Sequence, residues 1–368
     1  MQRRDFSKLI GTGVALPAFA QPAPPRQVTV AMIAGPGGSH LNYYFESLAM
    51  TEEVSAIYYC DPSGQSRALA EKLLGKRLTA SYPDIATLFR KEQPGLALIS
   101  MEAVASPPVI DAALDAGCHV LAEKPGCVRI EDFEKLNHKA KAKKRELLLA
   151  LGNRIDPVIL EAKRIVHEGK IGKVYGVEVH LIADHTRLTR PTYGKSWQAQ
   201  KAKSGGGHLI WLGIHWLDLA TFITESPVRA VTAMTANIGG LPFDVEDSAV
   251  VTMQFANGAL GTMTSGYYLD KGYHSHIKVW GSKGWLQVHK HTELPLEWYS
   301  TLDADPQIKR WEKPKRATGD MYPIFIRSVA RGCVGLDDFP LNGDDSLAAL
   351  KNVFACYRSA ETGKMQRV

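Results

Sequence analysis

The stretch Val28-Thr29-Val30-Ala31-Met32-Ile33-Ala34-Gly35-Pro36-Gly37-Gly38-Ser39-His40 decides the fold. Its first seven residues are apolar apart from Thr29, the pattern of a short strand buried on both faces. Gly35, Gly37 and Gly38 follow at once, and a helical stretch opens at Leu41. Glycines between a strand and a helix let backbone N–H groups approach an anion at the helix N-terminus, as in a dinucleotide pyrophosphate loop. The third glycine of a G-x-G-x-x-G pattern is missing because His40 stands there, so a rearranged loop is expected. An ordinary strand-to-helix turn is the alternative reading.

The same grammar repeats downstream. Val54 to Cys60 is a second apolar run, ending on Asp61. A carboxylate at that position can accept hydrogen bonds from ribose hydroxyls and repels a 2′-phosphate, which favours NAD over NADP. Arg67 nearby leaves NADP open, and Asp61-Pro62 also reads as a turn or helix cap. Leu96 to Ser100 and His119 to Ala122 are further strands, separated by the helix-like Pro108 to Ala116. Glu131 to Lys144 is an amphipathic helix before Leu147 to Leu151. Strands alternating with helices of this length imply an α/β, doubly wound parallel sheet over residues 26–151. After Gly152 and one helix, from about Pro157 to Glu168, the character changes. Val174 to Ile182, Val228 to Ala236, Ser248 to Phe255, Ala259 to Ser265, Ile277 to Trp280 and Trp285 to Val288 alternate as antiparallel strands with one wet face. Residues 152–340 are thus expected to form an α+β domain with an open, mostly antiparallel sheet. A closing helix within 341–368 runs from Asp344 to Ala360.

Bulk composition agrees with this organisation. The chain has 368 residues, 44 Lys+Arg against 38 Asp+Glu, and 45% hydrophobic residues. That is enough for about two domains, and it excludes disordered, collagenous and disulfide-scaffold classes. The basic surplus is spread out, and its densest run, Lys139 to Arg145, reads as a solvated helix face, so no nucleic-acid partner is expected. After the N-terminal segment no apolar stretch reaches the length of a membrane span. Five cysteines without CxxC spacing read as buried or free thiols; Cys118 with Cys127 is the pairing an oxidising compartment would allow. His274 with His276 and His289 with His291 each share a strand face, but with no third ligand no metal is expected.

Residues 1–25 read as an address rather than as fold. Arg3-Arg4, Phe6 and Lys8 precede an uncharged stretch from Leu9 to Phe19, then Ala18-Phe19-Ala20. That order resembles a twin-arginine (Tat) signal, cleaved after Ala20, with an ordinary Sec signal as the alternative. The resemblance implies a periplasmic protein exported folded, with its cofactor tightly held.

His119-Val120-Leu121-Ala122-Glu123-Lys124-Pro125 resembles the HVxxEKP segment of the Gfo/Idh/MocA oxidoreductases. Gly205-Gly206-Gly207-His208 through His215-Trp216-Leu217-Asp218 is similar to that family's GGGxLxDxGxHxxD. Phe255-Ala256-Asn257-Gly258-Ala259 and Tyr357 to Gly363 extend the likeness to the whole chain after the signal. The resemblance implies a Rossmann domain joined to an open-sheet domain. It also implies hydride exchange between NAD(P) and a secondary hydroxyl of a sugar or glycoside, and a homo-oligomer formed through the sheet face. It assigns Lys124 to polarising the reacting oxygen and His215 to moving its proton. Gly35, Gly37, Gly38, Asp61, Glu123, Lys124 and Pro125 fall to the cofactor, with a cis bond before Pro125. Arg154, Tyr193, Trp197, Trp211 and His208 fall to the substrate.

The departures matter as much. The family's aspartate four residues before the histidine is Trp211, and its TPxxxH segment is replaced by Met101 to Ser106. His180, His185 and Lys195 are further candidates for the lost acid or base. Two alternatives stay open: a redox-neutral NAD-dependent glycosidase or lyase working by oxidation, elimination and reduction, and a catalytically silent sugar-binding relative.

Overall fold

A computed structural model describes residues 26–269, 271–289, 292, 294–311 and 321–368. The signal and its cleavage point, and His291 of the second histidine pair, lie outside those residues.

The first sheet contains β1 (Val28–Ala34), β2 (Val54–Cys60), β3 (Leu78–Tyr82), β4 (Leu96–Ser100), β5 (His119–Ala122) and β6 (Leu147–Leu149), in the order β3-β2-β1-β4-β5-β6. All neighbours are parallel. Helices α1 (Leu41–Met50), α2 (Arg67–Leu74), α3 (Ile85–Lys91), α4 (Ser106–Asp115) and α5 (Ile130–Ala142) connect them. Strand order reverses between β1 and β4, and a crevice at the carboxyl ends of those strands is where doubly wound sheets bind ligands. The apolar run that opened the sequence reading is buried almost throughout, as a central strand covered on both faces must be.

Helix α6 (Pro157–His167) leads into the second sheet. Its strands are β7 (Val174–Asp184), β8 (Val228–Ala236), β9 (Ser248–Phe255), β10 (Leu260–Leu269), β11 (Tyr273–Gly281), β12 (Gly284–Val288), β13 (Leu296–Ser300), β14 (Lys309–Trp311) and β15 (Gln366–Arg367). The order is β14-β13-β12-β11-β7-β10-β9-β8-β15. Among the described residues every neighbouring pair is antiparallel except the central β7–β10 pair, so the sheet is mixed. The helices α7 (Lys201–Ser204) and α8 (Ile214–Thr224) follow β7 in sequence.

Two terminal helices tie the sheets together. Helix α9 (Tyr322–Cys333), absent from the sequence reading and inside the stretch assigned to the second domain, packs back on α1 of the first. Tyr322 stacks on Tyr43 at 4.9 Å, and Arg327 and Arg331 donate to the buried Glu53 carboxylate at 3.0 and 2.9 Å. Helix α10 (Gly343–Thr362) straddles both sheets: Ser346 Oγ accepts from the Leu149 N–H and Ser359 Oγ from the Ala233 N–H, each at 3.0 Å. All five cysteines are free thiols. The Cys118–Cys127 disulfide is therefore not formed; both residues are core side chains, and burial pushes each thiol up to about 12. No described helix is long and apolar enough to cross a membrane.

Candidate active site

The glycine loop is held from below. Gly35 N–H donates to the Ser100 carbonyl at 3.2 Å, Gly38 N–H to the Gly35 carbonyl at 3.0 Å, and Ser100 Oγ to the Ser39 carbonyl at 2.8 Å. A Cβ on Gly38 would lie 2.9 Å from the Ser100 carbonyl oxygen, so only glycine fits. His40, standing where the third glycine is missing, takes φ 58°, the left-handed conformation usual for glycine. Its ring is drawn to Glu123, with Nδ1 3.1 Å from Oε2. Helix α1 opens with no side-chain cap and no acidic residue in its first turn. The uncapped helix start fits a phosphate of a dinucleotide, whereas the missing Cβ of Gly37 makes room for the Trp197 ring, which it would meet at 2.3 Å.

At the end of β5, Glu123 and Lys124 are both buried, and the Lys124–Pro125 peptide bond is cis. Glu123 accepts from Tyr44 and His40. Burial alone would raise its carboxyl; the His40 bond and the charges of His40 and Lys124 hold it below the usual carboxylate range. Lys124 moves the other way: burial, with Arg187 adding to it against the pull of Glu123, lowers its ammonium to about 7. Nζ donates to the Trp211 carbonyl at 2.7 Å and lies 3.2 Å from the centre of the Trp211 ring.

Trp211 is positioned by a wide turn. Residues 209–213 form a π-helical segment ahead of α8, a feature frequent at functional sites. The glycines before it are packing requirements: a Cβ on Gly206 would meet the Tyr357 hydroxyl at 2.2 Å, and one on Gly207 the Glu246 carbonyl at 2.0 Å. The Glu246 carboxylate accepts from the Gly207 and Leu209 N–H groups and from Tyr357, capping the turn from another element. His215, one helical turn beyond Trp211, then lies in the first turn of α8.

Together these elements enclose a pocket of about 240 Å³ lined by His40, Lys124, Arg187, Trp211, His215 and Tyr322, among others. Lys124 comes from the first sheet, His215 from α8 and Tyr322 from α9, so three separated stretches build one cavity. Residues 25–151 match the oxidoreductase family with the NAD-binding Rossmann fold, and residues 159–287 match the GFO/IDH/MocA C-terminal domain.

The chain belongs to the Gfo/Idh/MocA oxidoreductase family.

Residues 25–151 are accordingly an NAD-binding domain. An uncharacterized oxidoreductase of Schizosaccharomyces pombe is 24% identical over 90% of this chain and 96% of its own. D-glucoside 3-dehydrogenase of Escherichia coli is 25% identical over 88% and 92%. Levoglucosan dehydrogenase, solved with NADH and levoglucosan, shares the fold with a TM-score of 0.81 at 19% identity, covering 92% of this chain and 99% of that one.

Other residues that the family likeness singled out lie elsewhere. Trp197 is not on the pocket but over the glycine loop: its indole N–H donates to the Gly37 carbonyl at 2.9 Å, and its ring meets Trp211 edge-on. Arg154 is a buried clamp, forking onto Asp218 at 2.6 and 2.9 Å and reaching Asp345 at 3.1 Å, so it ties α8 to α10 and is not among the residues lining the pocket. His208 is fully buried against Ser265 and Tyr267, and burial lowers its imidazole to about 3. Tyr193 packs edge-on against Phe243. His180 stacks on His276 on the sheet, and His185 Nδ1 meets the Leu269 carbonyl. Among the described residues no group of three His, Cys, Asp or Glu side chains could hold a metal. Asp61 is occupied as a turn cap: Ser63 and Ser66 donate to it through both N–H and hydroxyl groups, at 2.6 to 2.9 Å. Those bonds outweigh its burial and keep its carboxyl below the ordinary value.

Arg187, Tyr273, Tyr322 and Phe325 line the pocket without having been singled out. Tyr322 and Phe325 carried a signal, the apolar spacing Phe325, Ile326, Val329 and Ala330 of an amphipathic helix. Arg187 had only its place between His185 and Tyr193.

Proposed function

We propose that this family member is a sugar dehydrogenase, moving hydride between NAD and a secondary hydroxyl of a sugar or glycoside. The observation that carries the reading is the convergence of Lys124 and His215 on one cavity beside the glycine loop. The D-glucoside and levoglucosan dehydrogenases among its relatives support a carbohydrate substrate. Gly35, Gly37, Gly38 and the start of α1 would hold the dinucleotide, which supplies the hydride acceptor. Lys124 donates a hydrogen bond to the reacting oxygen and stabilises the alkoxide as its proton leaves. His215 takes that proton. Glu123 keeps a negative charge behind Lys124, and the Trp211 carbonyl and ring restrain Nζ. Trp211 supplies an aromatic face where relatives of this motif carry a carboxylate.

The same reading includes export through the twin-arginine signal with cleavage after Ala20, tight retention of NAD, and self-association through the open sheet face. Exposed Tyr175, Val250, Leu260 and Tyr268 on β7, β9 and β10 support the last of these.

The test is incubation of the purified protein with NAD⁺ and a panel of neutral and charged glycosides, following NADH absorbance and product together. Stoichiometric NADH is expected, with kcat reduced about 10²- to 10⁴-fold in Lys124→Met and His215→Asn. Release of an aglycone without NADH would replace this reading with the redox-neutral one. Absence of nucleotide binding would leave a silent sugar-binding protein.

A further inference from the structure

Arg187 stands in a short turn after β7 and presents a partly buried guanidinium to the pocket. Among the described residues it has only neutral partners there. Nη2 donates to the Tyr273 hydroxyl at 2.7 Å, and the group lies 5.6 Å from the centre of the Tyr267 ring and 6.0 Å from that of Tyr273. Burial raises the Tyr267 phenol well above its ordinary value, so it supplies no charge at neutral pH. Among the described residues no carboxylate lies within ion-pair distance of Arg187. The acid whose charge reaches it, Asp184, has its Oδ1 engaged by the Thr186 N–H and hydroxyl.

The rest of the lining repeats the imbalance. Lys124 is a second basic group on the same cavity, Glu123 is turned away onto His40 and Tyr44, and no Asp or Glu is among the described lining residues. Desolvating a guanidinium without a counter-charge is costly, and such sites are satisfied when an anion enters. The planar fork of arginine matches a carboxylate in two parallel bonds, which a lysine cannot reproduce. Trp211, Tyr273, Tyr322 and Phe325 provide aromatic surface for a ring, and a cavity of about 240 Å³ suits one sugar unit.

We infer that the substrate is an acidic sugar, a uronic-acid glycoside or a related sugar carboxylate, and that Arg187 is the residue that reads its carboxylate while Lys124 addresses the hydroxyl to be oxidised. This rests on the dehydrogenase reading for its reaction but not for its binding. The other possible anion is a phosphate of the dinucleotide. The position of Arg187 on the wall contributed by the second domain, rather than on the glycine loop, favours the substrate.

The experiment compares methyl β-D-glucuronoside with methyl β-D-glucoside, both by NADH formation and by calorimetric titration of the NAD⁺-loaded protein. The wild type should prefer the acid in kcat/KM and in affinity by about 10- to 100-fold, the size of one charge-assisted fork. Arg187→Gln should bring that ratio close to one, and Arg187→Lys should restore part of it, with circular dichroism confirming that each variant is folded. Equal handling of the two sugars by the wild type would overturn the inference, as would a ratio that survives in Arg187→Gln. Weakened NAD⁺ binding in Arg187→Gln, with the sugar preference intact, would assign the arginine to the cofactor instead. Arg187-dependent binding of the acid with no NADH would uphold this inference while refuting the dehydrogenase reading.

Discussion

Replacing Lys124 by methionine should change how stability depends on pH. In the folded protein burial takes the Lys124 ammonium from its ordinary 10.5 down to about 7, Arg187 adding to the effect and Glu123 opposing it. Between those values the unfolded chain carries a proton at this site that the folded chain does not. Stability therefore rises with pH through that window. Below it both states are protonated, and the full penalty of burying the cation is present and constant. The slope approaches about 1.4 kcal/mol per pH unit inside the window, so roughly 2 kcal/mol accrues from about pH 7 to about pH 9. Methionine keeps most of the volume beneath the Trp211 ring and removes the titration. Urea unfolding of both proteins at several pH values from about 6 to about 9 yields the difference, wild type minus variant, in which other titrating groups largely cancel. That difference should be level up to about pH 7 and then rise in favour of the wild type by about 2 to 3 kcal/mol. A difference independent of pH over the whole range would refute the claim that Lys124 sits desolvated with a depressed ammonium.

Two further outcomes test how the pocket is assembled. Glu53→Gln removes the charge that holds Arg327 and Arg331, at 3.0 and 2.9 Å, and should lower stability by about 1 to 3 kcal/mol. Because α9 also carries Tyr322 and Phe325 to the cavity, KM for the sugar should rise together with the fall in melting temperature; lower stability with an unchanged KM would uncouple the helix from the site. Gly207→Ala places a Cβ 2.0 Å from a backbone carbonyl of Glu246 and should cost several kcal/mol, about 3 or more, or abolish soluble expression. Gly64→Ala, at φ +68° with nothing within 4 Å, should cost only about 1 kcal/mol, and equal losses in the two melting curves would refute the packing argument.

Much of the site was legible because its signals are local. The apolar run into Gly35-Pro36-Gly37-Gly38 specifies a buried strand, a turn and a helix start from a dozen consecutive residues. Glu123-Lys124-Pro125 follows a strand short enough to place the lysine at its carboxyl end. Residues whose meaning depended on distant partners were not legible. Arg154 and His208 are the polar types that sites use, yet one is consumed by Asp218 and the other sealed beneath Tyr267. Trp197 belongs to the glycine loop across 160 residues of intervening chain. Asp61 marked the end of β2 as expected, but the serines two and five residues later take its oxygens.

Taken alone, the order of residues determined the two architectures and the glycine turn ahead of α1, since periodicity and glycine placement act over one or two turns of chain; the lysine and histidine were marked by the family motifs that contain them. Only the folded arrangement decided which side chains share a cavity. That a guanidinium shares the pocket with Lys124 and no carboxylate among the described residues, and that α9 returns to close the pocket with Tyr322, follow from packing between segments more than sixty residues apart. Spacing along the chain carries no record of such encounters.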